Sequence, residues 1–261
     1  MSIEKLSASK RFEIHFLESV QAPGLVSCIS MELYPNSSKI KEQSLNPGFH
    51  NSLLPYLVYH TQLLLEEYTK LNAFYLEDCI HYHENIYIGI AIDNGKGLRV
   101  IYLNTKKSDS IIDIQKAIVK ASIDYDNDKL ANDQLTKSTF TITDLSNFKL
   151  SGVYPLINKN QSCILGITKS NKKYQINCSF DHRVLEGYYV SNFLNDLNDN
   201  LLNDKIINNE ETNINEDISE MICNKCFKTV QEDQNMNGPG LLQIKTSDGN
   251  YFICRNCFIG Y

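Results

Sequence analysis

Ser179-Phe180-Asp181-His182-Arg183-Val184-Leu185-Glu186-Gly187 joins two patterns. Before it, Tyr174 to Phe180 reads as a strand. After Gly187, Val190, Phe193, Leu194 and Leu197 recur at three-and-four spacing, the mark of a helix with one apolar face. His182 therefore falls on a strand-to-helix turn, where a side chain can project into a cleft.

Working outward, the spacing predicts a strand over Cys163 to Thr168, turned back toward Tyr174 by Ser170-Asn171-Lys172, and another over Thr139 to Thr143. Ser110-Ile111-Ile112-Asp113 has the form of a capping box and opens a helix through Ala117, Ile118 and Ala121. Phe74 to Tyr82, Ile86 to Ile92 and Leu98 to Leu103 read as strands, the last two joined at Asn94-Gly95. Leu54, Leu57, Val58, Thr61, Leu64, Leu65, Tyr68 and Leu71 predict a long amphipathic helix, capped by Asn51 or Ser52, with Pro55 in its first turn. A strand over Leu25 to Leu33 and a helix over Leu6 to Ser19 precede it. Strands and helices mix without regular βα alternation, which predicts a mixed α/β sandwich and argues against a Rossmann fold or a barrel.

Composition sets limits. With 261 residues, 42% of them hydrophobic, the chain is long enough for one large core and a small accessory module. A net charge of −6 gives no basic anchor for nucleic acid. No run approaches the ~20 apolar residues that span a bilayer. Met1 to Lys10 has no apolar core of a secretory signal, so the expected compartment is the reducing cytoplasm. Cys28, Cys79, Cys163 and Cys178 fall in strand-like segments and read as small buried thiols. The expected domains are residues 1–197, an Asn-rich, acidic linker or frayed helix end over 198–220, and a cysteine module over 221–261.

The Ser179–Gly187 motif resembles that of the catalytic domain of 2-oxo-acid dehydrogenase acyltransferases, which shares a fold with chloramphenicol acetyltransferase. Four further segments resemble that family in order: the opening Leu6 to Arg11, Ile86 to Val100, Ser138 to Leu145, and Pro155 to Ile167. The likeness covers roughly residues 5–197. It implies a chloramphenicol-acetyltransferase-like mixed sheet sandwich with helices, and a homotrimer with an active site at each interface.

The resemblance also implies roles. His182 would be the general base that deprotonates a thiol, hydroxyl or amine, a task suited to a side chain with a pKa near neutrality. Thr143 stands where the family has a serine and would donate its hydroxyl to the oxyanion of the tetrahedral intermediate. Glu186 stands where the family has Asp or Asn and would orient the site, with Lys10 or Arg11 as its partner. The chain begins at the acyltransferase fold, so the donor is expected to be a diffusible acyl-CoA or a thioester on a separate carrier protein. A freestanding enzyme of biosynthesis or antibiotic modification fits that better than a dehydrogenase-complex core.

Cys223-Asn224-Lys225-Cys226 and Cys254-Arg255-Asn256-Cys257 form two CxxC pairs, with turn signals at Gly238-Pro239-Gly240 and Asp248-Gly249 and strand-like stretches between them. Two such turns complete a tetrahedral thiolate site, so Cys223, Cys226, Cys254 and Cys257 are expected to hold a structural Zn2+ in a ribbon. Charges over 221–261 leave about −1 once four thiolates surround Zn2+, which favours docking or structure over a phosphate backbone. A four-cysteine site is closed to water, which argues against a zinc hydrolase. The competing reading is a silent trimeric scaffold with the ribbon as docking module.

Overall fold

The computed structural model describes residues 25–33, 53–93, 95, 97–170 and 173–203, and the backbone of 241–246 and 249–254. The expected helix at Leu6 to Ser19, the caps Asn51 and Ser52, and Cys223, Cys226 and Cys257 lie outside these residues.

The Ser110–Asp113 box forms as its spacing predicts. The Ser110 hydroxyl accepts from the Asp113 backbone N–H at 3.2 Å, and the Asp113 carboxylate accepts from the Ser110 N–H at 3.2 Å. These bonds satisfy two of the orphan donors at the start of α2 (Ile111–Asp126). α1 (Leu54–Leu64) starts at Leu53 with Pro55 in its first turn. It is shorter than the pattern predicts, because a separate 3-10 turn over Thr69–Asn72 carries Leu71 into the core. α3 (Asn132–Thr136) is a short helix that the apolar spacing does not announce. α4 (Gly187–Asn203) buries Val190, Phe193, Leu194 and Leu197 and continues past residue 197, with Leu201 packed on the core.

Six strands form one sheet: β1 (Val26–Leu33), β4 (Ile88–Ile92), β5 (Arg99–Tyr102), β6 (Phe140–Leu145), β7 (Cys163–Ser170) and β8 (Lys173–Asp181). Their order is β1-β8-β7-β6-β4-β5. The pairs β1–β8, β7–β8 and β4–β5 are antiparallel, whereas β4–β6 and β6–β7 are parallel, so the sheet is mixed, as expected. The β7–β8 hairpin closes at the pair Ser170 and Lys173.

Phe74 to Tyr82 is a hairpin rather than a single strand. β2 (Ala73–Leu76) pairs antiparallel with β3 (Cys79–Tyr82) around Glu77 and Asp78, whose φ values of 49° and 59° make a tight two-residue turn. The reversal also leaves Cys79 exposed, unlike the buried thiols of Cys163 and Cys178.

The sheet has two different faces. Phe140, Ile142, Cys163, Leu165, Ile167, Ile176, Cys178 and Phe180 meet the apolar sides of α1, α2 and α4 in one continuous core. The Tyr68 hydroxyl donates to Asp196 of α4, and burial together with that carboxylate pushes its pKa up to about 12. On the opposite face the strands carry Thr141, Ile164, Gly166, Thr168, Asn177 and Ser179. Most of these are polar, and all are buried in part because the β6–β7 crossover lies over them. A Cβ on Gly166 would stand 2.6 Å from Val153 Cγ1, so only glycine lets the crossover settle there. Asn158 Nδ2 donates to Thr141 Oγ1, Thr141 Oγ1 donates to Gln161 Oε1, and Gln161 Nε2 donates to the Ser138 carbonyl, each at 2.9 Å. That chain of bonds pins the crossover to β6 and satisfies groups that would be costly to bury unpaired.

Candidate active site

β8 runs out at Asp181, and the next three residues turn before α4 begins. The Asp181 carbonyl accepts the N–H groups of Val184 and Leu185, both at 3.0 Å, while the His182 N–H donates to the Leu25 carbonyl at 2.9 Å. The His182 backbone is thus held from within the turn and from the start of β1. Its ring lies 4.8 Å, centroid to centroid, from that of Phe180, which is buried. The side chain is 39% exposed, on the strand-to-helix turn where the sequence pattern puts it.

Asp181 and Arg183 hold this turn, and sequence reasoning did not single them out. Asp181 is 2% exposed. Its Oδ1 accepts the Arg183 backbone N–H and Nε–H, both at 2.9 Å, and its Oδ2 accepts Nη2–H at 2.6 Å. The fork is bidentate, the geometry in which arginine and carboxylate bind best. These bonds hold the Arg183 pKa above its ordinary value. Their signal in the sequence is an opposite-charge pair at i and i+2 flanking His182.

Glu186 does lie beside His182, but loosely. Its Oε2 is 3.8 Å from His182 Nδ1, outside hydrogen-bond reach, and its side chain is 80% exposed. An ion pair so exposed is worth little. Lys10 and Arg11 lie outside the described residues.

Thr143 is half-buried on β6, on the polar face with Thr141. It pairs with Gly166, which pairs with Asn177 of β8, and His182 lies five residues farther along. Two strand spacings and five residues of rise put His182 roughly 19 Å from Thr143 of the same chain. One chain does not bring the two together.

Among the described residues, no three His, Cys, Asp or Glu side chains gather to hold a metal ion. His81 and His83, which alternate on one face of the hairpin strand, both pack against Phe74, and His83 Nε2 lies 2.8 Å from the Asn160 carbonyl oxygen. No described helix is long and apolar enough to cross a membrane.

A family model described as 2-oxoacid dehydrogenases acyltransferase (catalytic domain) matches residues 5–207. The chain belongs to that family. The match takes in the whole six-stranded sheet, the His182 turn and α4. A Staphylococcus epidermidis protein described as the dihydrolipoyllysine-residue acetyltransferase component of pyruvate dehydrogenase complex is 28% identical over 196 residues, 69% of this chain and 44% of that protein. A Rickettsia felis protein of the same description is 27% identical over 143 residues, 50% of this chain and 35% of its own length. The chain thus spans less than half the length of these relatives. A probable dihydrolipoamide acetyltransferase from Listeria monocytogenes superposes with a TM-score of 0.68 at 22% identity, covering 81% of this chain and 98% of that one. The cubic core of a pyruvate dehydrogenase multienzyme complex superposes with a TM-score of 0.70 at 18% identity, covering 79% and 94%. Both likenesses show that this chain shares the fold of those two proteins.

Removing Arg183 strands a buried carboxylate, and breaking a buried pair in this way typically costs about 3 kcal/mol or more. Arg183→Ala is therefore expected to lower the unfolding free energy by that much, measured by urea titration at pH 7 and equal protein concentration. Asp181→Asn in the same chain should restore part of the loss. A loss under about 1 kcal/mol for Arg183→Ala would contradict the role given to the pair.

Proposed function

We propose that this protein is an acyltransferase that moves an acyl group from a CoA or carrier-protein thioester to a thiol, hydroxyl or amine. The observation that carries the proposal is the His182 turn. A histidine stands at a strand end, braced by a buried ion pair and half open to solvent, in a chain of an acyltransferase family.

In this reading His182 takes the proton of the attacking group as it adds to the thioester carbonyl. Nδ1 faces Glu186, which leaves Nε2 for the reactant. The oxyanion of the tetrahedral intermediate accepts a hydrogen bond from the Thr143 hydroxyl. As the intermediate collapses, the C–S bond breaks, and the departing thiolate takes the proton back from His182. The pathway balances with no oxidant or further reactant.

A separation of roughly 19 Å, by strand spacing and rise, calls for a second chain. Three subunits in a closed ring would set His182 of one chain against Thr143 of the next, through an interface made of two different surfaces. Support comes from the crossover over the polar face, which exposes Phe148, Leu150, Tyr154 and Leu156. An apolar strip of that kind marks an interaction surface. A biosynthetic setting in the cytoplasm is part of the proposal. The silent-scaffold reading rests on Glu186, whose distance from His182 weakens its orienting role, but His182 itself is held without it.

A screen of acyl-CoAs for thiol release, with and without acceptors, tests the activity. His182→Ala is expected to reduce turnover to background with the fold unchanged, and Thr143→Ala to slow it about a hundredfold. Wild-type turnover by the His182→Ala protein would refute the mechanism.

We further propose that residues 221–261 form a zinc ribbon, with Cys223, Cys226, Cys254 and Cys257 as ligands and a structural or docking role. Support comes from β9 (Leu241–Thr246) and β10 (Gly249–Cys254), an antiparallel hairpin lying between the two CxxC pairs and ending on Cys254. Four thiolates suit Zn2+ and would supply most of the folding energy of so small a unit. Metal analysis should find one zinc per chain, lost when Cys223 and Cys226 are both replaced by serine, while acyl transfer survives at least in part. Absence of zinc from protein purified under reducing conditions without chelator would remove the assignment.

A further inference from the structure

We propose that Tyr75, on the β2–β3 hairpin, is a positioning residue for His182 and acts through Arg183. The kinetic part of this inference rests on the acyltransferase reading, and the spectroscopic part does not.

Arg183 is engaged on two sides. Its Nε and Nη2 edge is committed to Asp181, and its guanidinium carbon lies 4.3 Å from the centroid of the Tyr75 ring. That is well inside the roughly 6 Å at which a cation and an aromatic face attract each other. The ring covers one face of the guanidinium and keeps water from it, and the Arg183 side chain is accordingly only 18% exposed. The fork to Asp181 is strongest where water does not compete for it.

Tyr75 is itself held in place. Its hydroxyl donates to the Asp78 carboxylate across the hairpin turn. Glu77 and Asp78 both adopt left-handed backbone angles, which aspartate tolerates and glutamate rarely takes up. The turn places the Asp78 carboxylate as an acceptor for Tyr75. The line of contacts runs from Asp78 through Tyr75 and Arg183 to Asp181, whose carbonyl closes the turn that bears His182. A hairpin outside the main sheet in this way sets the stiffness of that turn. Small misplacements of a reacting group cost rate out of proportion to their size.

The test compares Tyr75→Phe, which keeps the aromatic face, with Tyr75→Leu, which removes it. Tyr75→Leu is expected to lower kcat about tenfold while KM for donor and acceptor stays within about twofold, and Tyr75→Phe to stay within about threefold of wild type. The His182 imidazole Cε1–H resonance, identified by its loss in His182→Ala, should shift or broaden in Tyr75→Leu but not in Tyr75→Phe. The resonances of His81 and His83, on and beside β3, should stay put and show that the hairpin is intact. Wild-type kcat and an unmoved His182 resonance in Tyr75→Leu would overturn the proposal. So would displaced His81 and His83 resonances in both variants, which would make Tyr75 a folding residue only. If the wild-type protein transfers no acyl group while the His182 resonance still responds to Tyr75→Leu alone, the positioning role stands and the acyltransferase reading falls.

Discussion

A carboxylate buried at the end of a central strand has to be neutralised, and Asp181 meets that demand through Arg183. An isolated charge in such a place costs several kcal/mol, whereas a forked, fully hydrogen-bonded one is tolerated. Because the partner sits two residues away in the chain, satisfying the charge also fixes the path of the chain between them. The residue between is His182. The same carboxyl group accepts the Arg183 backbone N–H, and the Asp181 carbonyl accepts two more from the turn. The electrostatics of one buried acid thus dictate the local backbone of the histidine on which the proposed chemistry depends.

Around that turn, the sheet divides its labour. One face, with its helices, supplies the apolar burial that makes the fold stable. The other carries threonine, serine, asparagine and glycine, and is buried under a crossover tied down by side-chain hydrogen bonds. Such a face contributes little hydrophobic energy, but it can present a hydroxyl such as that of Thr143 in a fixed place. The sheet registers also hold Thr143 apart from His182 in space. The proposed function builds on that separation, since in it Thr143 and His182 serve one site and only another copy would join them.

Much of this was legible in the sequence. The Ser110 box, the apolar stripe of α4 and the strands flanking Ser170-Asn171-Lys172 fall where their spacing puts them, because burial and capping act through near neighbours. The β2–β3 hairpin was not legible, since Glu77-Asp78 lacks the glycine that usually marks a two-residue turn and the flanking stretch is strand-like throughout. Asp181 and Arg183 were missed for another reason. Charged residues beside a histidine read as solvated, and only the closing of β8 between β1 and β7 shows that Asp181 is inside. His182 and Glu186 are singled out by motif, yet the 3.8 Å between them, set by side-chain reach, has no counterpart in sequence. The hairpin between the CxxC pairs likewise falls where its turn and strand signals predict it.

The central claim is that each active site is shared between two chains. Mixing inactive His182→Ala and Thr143→Ala chains, unfolded and refolded together, tests it most directly. Hybrid interfaces that pair an intact His182 with an intact Thr143 are expected to restore part of the wild-type acyl-transfer activity. No recovery in an assembly verified to contain both chains would contradict the account.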